Sequence, residues 1–163
     1  MRSRSALAVA ALSGALLLAG CATTAGGLGT ADSVLRGATA TNSVSLSLTP
    51  GEVKTGEQLW AEVSTTDAGY LYVYQLGTDG KSVGLVFPNA IDAANYLAPG
   101  RHKLPRPGWR MTARGPAGVG YFVAVVAARQ QDLLAIDARA RQGLIEIEGP
   151  YAAAMSPVRE LAP

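Results

Sequence analysis

The chain has 163 residues, 14 basic and 12 acidic, with one cysteine and one histidine. Arg2 and Arg4 precede a long apolar run, and without that leader basic and acidic residues balance at twelve each. Such a balance gives no reason to expect nucleic acid as a partner, a lone cysteine leaves no partner for an intramolecular disulfide, and a lone histidine cannot build a multi-histidine metal centre.

Met1-Arg2-Ser3-Arg4 leads into an apolar run over residues 6–18, followed by Ala19, Gly20 and Cys21. Positive charge, an apolar run and small residues, in that order, make a secretory signal, and this run is too short to span a bilayer permanently. Leu18-Ala19-Gly20-Cys21 resembles the bacterial lipobox. The resemblance implies a lipoprotein signal peptide over residues 1–20, cleavage before Cys21, and lipidation of Cys21 by acyl chains such as palmitate, enough for stable anchoring. Ala22 stands where an aspartate would mark retention at the inner membrane, which points to the outer membrane, facing the periplasm. Residues 21–41, rich in Gly, Ala and Thr, are expected to be the lipid anchor and a flexible tether, because they bury too little surface to offset their ordering entropy.

From residue 42 the pattern has period two. Val44, Leu46 and Leu48 alternate with Ser43, Ser45 and Ser47, which predicts a strand with one wet face, closed by Pro50-Gly51. Residues 56–64 repeat the pattern, with Leu59, Ala61 and Val63 on one side and Gln58, Trp60 and Glu62 on the other. Residues 70–76 are apolar on both faces and belong at the centre of a sheet. Thr78-Asp79-Gly80 is a hairpin signal, with residues 83–87 as the returning strand and Pro88 as its stop. Residues 89–108 form the longest irregular stretch, with short strands expected at 101–104 and 109–113. The run at 120–127 reads as a buried strand. Residues 132–142 read as the one helix: Asp132 near its start, Leu133, Ile136 and Ala140 on one stripe, and Gly143 just past its end. A final strand is expected at 144–148 and a poorly ordered C-terminal tail at 151–163. The fold class is therefore mainly β, an antiparallel β-sandwich over residues 42–150 with one short late helix.

Candidate chemistry is sparse. His102 lies between Arg101 and Lys103, whose charge opposes a bound cation, so no metal and no cofactor are expected. The carboxylates are scattered, and no pair is held at the spacing a glycosidase needs. Gly115-Pro116-Ala117-Gly118-Val119-Gly120 precedes a strand, whereas a phosphate loop opens a helix. Tyr70, Tyr72 and Tyr74 share one strand face and suit a core, although the same row, if exposed, would make a platform for sugar. Arg101, His102, Lys103, Arg106, Trp109 and Arg110 gather basic and aromatic groups near the one long loop and form the candidate binding surface, unless the loop's prolines merely pin a crossover.

Gly56-Glu57-Gln58-Leu59, Asp67-Ala68-Gly69-Tyr70-Leu71-Tyr72-Val73, Val86-Phe87-Pro88-Asn89, Asn95-Tyr96-Leu97-Ala98-Pro99-Gly100, Leu104-Pro105 and Gly115-Pro116-Ala117-Gly118 occur in this order. Together they resemble a bacterial family of domains of unknown function. The resemblance implies a β-sandwich accessory module carried on secreted or lipid-anchored proteins, found also beside protein kinase, caspase-like and secretion-system components, and it brings no catalytic residues. The expected function is non-enzymatic: an interaction module held at the membrane by Cys21, which binds an unidentified envelope protein or polymer. A carbohydrate- or peptidoglycan-binding module and an envelope hydrolase are the alternatives.

Overall fold

The computed structural model describes residues 26–162; the expected signal peptide and Cys21 lie outside them. Ten strands and two helices follow in the order α1 (Gly27–Gly37), β1 (Val44–Thr49), β2 (Glu52–Lys54), β3 (Gln58–Thr65), β4 (Gly69–Leu76), β5 (Val83–Phe87), β6 (Tyr96–Leu97), β7 (Gly100–Leu104), β8 (Met111–Thr112), β9 (Gly118–Ala127), α2 (Leu133–Arg141) and β10 (Tyr151–Leu161). They form a smaller sheet, β1-β3-β7 with β8 alongside β3, and a larger one, β2-β10-β9-β4-β5 with β6 alongside β4. Pairing is antiparallel except between β10 and β2.

The mainly β fold holds, with a third layer added. Leu59, Ala61 and Val63 of β3 meet Leu71 and Val73 of β4 and Phe122, Ala124 and Val126 of β9 between the sheets. The alternate residues of β4 and β9, Tyr72, Tyr74, Leu76, Val123 and Val125, pack against both helices. Strands covered on both faces carry apolar residues at both parities, which is why β4 and β9 read as continuous apolar runs. Gly69 opens β4 because Ala127 of β9 crosses it: a Cβ there would lie 2.9 Å from the Ala127 carbonyl oxygen.

Helix α2 forms as expected. The Asp132 carboxylate accepts from the Leu134 and Ala135 N–H groups at 2.9 and 3.2 Å. Gly143, at φ +80°, ends the helix, with its N–H donating to Ala140 and that of Leu144 to Arg139. Ile136 and Ala140 are buried, as the stripe predicted.

Three expectations need correction. Within the segment expected to be a flexible tether, residues 27–37 form α1, docked on the larger sheet through Gly27, Thr30, Ala31 and Val34. This spacing makes one helical face, and its small side chains let the helix sit close to its neighbours. A Cβ at Gly37 would lie 2.5 Å from the Tyr151 hydroxyl, which donates to the Val34 carbonyl at 3.1 Å. The tail expected to be poorly ordered contains β10, paired with β9 from Tyr151 to Glu160 and with β2 at its end. The domain thus runs well beyond residues 42–150 at both ends. Residues 144–148, expected as a strand, form none: the Ile145 N–H donates to the Thr30 hydroxyl and that of Glu148 to the Gln131 side-chain oxygen. Side chains from other elements supply what a neighbouring strand would have supplied.

Candidate functional site

The six residues of the expected binding surface separate into three settings. On β7, alternation sends Arg101 and Lys103 to the solvent side, opposite Ser64 and Glu62 of β3. His102 faces the other way, opposite Val63, and is half-buried; its Nε2 donates to the Ala98 carbonyl at 2.8 Å.

Arg106 and Trp109 turn inward onto Asp92. Arg106 Nε and Nη2 donate to the two Asp92 carboxylate oxygens at 2.7 and 2.6 Å, and Trp109 Nε1 donates to Oδ2 at 3.0 Å. The guanidinium carbon lies 4.9 Å from the centroid of Phe87, and Trp109 stacks on the same ring at 6.4 Å with planes 6° apart. The Asp92 side chain keeps only 13% of its surface exposed. This clasp fastens the long loop to the end of β5, so two of the six residues act as pins. Arg110, the last of the six, is exposed and lines a separate cleft.

The solvent side of the smaller sheet is built from the alternate residues of three strands. Ser45, Ser47 and Thr49 of β1, Trp60 and Glu62 of β3, and Arg101 and Lys103 of β7 share it. Trp60, on the middle strand opposite Thr49 at the end of β1, stands 38% exposed and, with Ser47, Thr49, Glu62 and Lys103, lines a shallow hollow of about 260 Å³. The same alternation that sets Trp60 on the face opposite Leu59 and Ala61 puts it on the solvent side with Lys103. Trp109, near the long loop in sequence, is instead held in the clasp by Asp92.

The tyrosine row is buried for the most part. Tyr72 and Tyr74 have no exposed surface, and Tyr70 packs edge-on against Tyr96 at 5.0 Å. The Tyr72 hydroxyl accepts from the Gln131 N–H at 2.7 Å. The Tyr74 hydroxyl has no hydrogen-bond partner among the described residues. Burial, with Tyr72 and Asp137 nearby, pushes its pKa well above the ordinary tyrosine range.

Among the described residues no three His, Cys, Asp or Glu side chains are placed to hold a metal ion. No described helix is long and apolar enough to cross a membrane. Cys21, the expected lipidation site, lies outside the described residues.

A family model described as a domain of unknown function (DUF4384) matches residues 52–130. The match begins at β2 and stops just before α2, so it supports a module of unknown function whose larger sheet is completed here by β10, from outside the matched region. No curated protein matches the chain.

Proposed function

We propose that this chain is a non-enzymatic interaction module, anchored to the cell envelope through lipidated Cys21, that binds an envelope protein or polymer with the solvent side of its smaller sheet. Trp60 carries the reading. The larger sheet has both faces covered, by the other sheet and by the helices, whereas the smaller sheet leaves one face open with an indole on its middle strand, Lys103 lining the same hollow and Arg101 further along the face. A large aromatic ringed by hydroxyl and charged groups is the composition of a binding hot spot with a polar rim. The lipobox-like leader supports anchoring, on the outer membrane facing the periplasm, and an accessory role in a secretion or envelope assembly is its most specific form. The carbohydrate-binding alternative draws support from the hydroxyls of Ser47 and Thr49 beside the indole, but the buried Tyr72 and Tyr74 deprive it of an aromatic row.

Fractionation and cross-linking of the full-length chain test both halves of the proposal. Cys21→Ser is expected to move the protein from the membrane to the soluble periplasmic fraction. A photo-cross-linking residue at Ser47 is expected to trap a discrete protein adduct or to retain the chain on sedimented cell-wall polymer, and Trp60→Ala to abolish both. Continued membrane association of Cys21→Ser defeats the anchor. Capture that is absent at Ser47, or indifferent to Trp60→Ala, defeats the surface.

A further inference from the structure

Beside the clasp, between the ends of the two sheets, lies a cleft of about 280 Å³. Leu59, Val86 and Phe122 give it an apolar floor, and the pinned Trp109 stands as one wall. Arg110 and Arg114 line it as well, and neither forms an ion pair among the described residues. Nearby carboxylates are already engaged. Asp92 holds Arg106 and Trp109, Glu57 accepts from the Lys54 N–H at 2.8 Å, and buried Glu160 accepts from the Gly115 N–H at 2.8 Å.

Two guanidinium groups without carboxylate partners among the described residues stand beside an apolar floor, that of Arg114 hydrogen-bonded through Nε to the Thr112 hydroxyl at 3.3 Å. They are complementary to an anion attached to an apolar body. The lining has no helix N-terminus to take the further oxygens of a phosphate. A two-oxygen planar anion matches the arginine forks better. The cleft, just below the usual range for ligand sites, has room for about one branched or aromatic side chain.

We propose that this cleft binds a carboxylate joined to a compact apolar group, with Arg110 and Arg114 taking the carboxylate and Trp109 covering the apolar part. Free organic acids and the C-terminal residue of a peptide present this same chemistry. The site shares no lining residue with the hollow at Trp60, so it stands or falls independently of that surface.

The chain has two tryptophans, so Trp60→Phe leaves Trp109 as the only indole emitter. Full-length lipoprotein carrying that change, in detergent, is titrated with N-acetyl-leucine, with the tetrapeptide Gly-Gly-Ser-Leu as the free acid, and with the same peptide amidated at its C-terminus. The free acids are expected to change Trp109 emission saturably, the amide to bind at least about tenfold more weakly, and added salt to weaken the acids. Arg110→Gln and Arg114→Gln, both at exposed positions, are each expected to lose about tenfold in affinity with unchanged melting temperature. Tighter binding of the peptide acid identifies a chain terminus, and tighter binding of N-acetyl-leucine a free acid; either supports the site. Absence of a saturable change with both acids overturns the proposal. Equal binding of acid and amide, or full affinity in both arginine variants, overturns the anionic assignment.

Discussion

Replacing Asp92 by alanine removes the centre of the clasp. Three side-chain hydrogen bonds, two from Arg106 and one from Trp109, lose their acceptor, and a guanidinium is left over the Phe87 ring without its counter-charge. Bonds to a charged group contribute about 1.5–3 kcal/mol each. The Arg106 side chain is 35% exposed, so the freed guanidinium partly rehydrates and the total falls to about 3 kcal/mol. In a chain of this size that corresponds to a drop of roughly 8 °C in Tm. The assay is urea unfolding of the Cys21→Ser chain in a double-mutant cycle of Asp92→Ala and Arg106→Ala, with an expected coupling of about 2 kcal/mol. A coupling below about 0.5 kcal/mol would refute the clasp and return Arg106 to the pool of surface charges available for binding. Any variant that neutralises Arg106 along with Arg101, Lys103 and Arg110 unfastens the loop as well as removing surface charge.

Tyr74→Phe deletes a buried hydroxyl that has no partner among the described residues, and is expected to leave stability at pH 7 unchanged or raised by up to about 1 kcal/mol, read from urea midpoints. Because burial keeps this phenol neutral in the fold while the unfolded chain ionises near pH 10, wild-type stability is full below about pH 10 and falls as pH rises beyond it; the variant should lose much of that slope, and an unchanged alkaline profile would count against the burial argument. Val34→Asp places a carboxylate on the buried face of α1 and is expected to cost about 2–3 kcal/mol by undocking the helix. Hydrogen exchange should then become fast over residues 27–37 while β4 and β9 stay protected, and uniform loss of protection would mean that α1 and the sheets unfold as one unit.

The elements legible in the sequence are those whose burial is local in pattern. β4 and β9 carry bulky residues at both parities, and α2 carries its own cap, stripe and terminating glycine. The illegible ones depend on partners far away in the chain. In β10, Ala152, Ala153, Ala154 and Pro157 lack strand character, and the strand exists because β9 offers it a ten-residue ladder. Pro157 is tolerated because β2 joins the other edge of β10 only from Arg159 onward. Helix α1 was hidden by its small residues, since glycine and alanine signal flexibility when read alone and close packing when read beside Tyr151. The same distinction governs the candidate surface. Alternation along β7 separates Arg101 and Lys103 from His102 and was readable, whereas the pairing of Arg106 with Asp92, fourteen residues earlier, needed three dimensions.

The docking of α1 sets how far the module can stand from the bilayer. The helix begins at Gly27, where the Leu28 N–H donates to the Gly80 carbonyl, so its first turn rests on the tip of the β4–β5 hairpin. With Cys21 acylated as proposed, the five steps of chain from there to Gly26 span at most about 18 Å, less than the diameter of a small domain. Under that anchor the hairpin around Lys81 would lie within about two to three headgroup layers of the membrane, and the module could not sweep the periplasm as a long-stalked head would. With the proposed anchor, partners would have to come to the bilayer, or already reside there, and encounter would become a search in two dimensions rather than three.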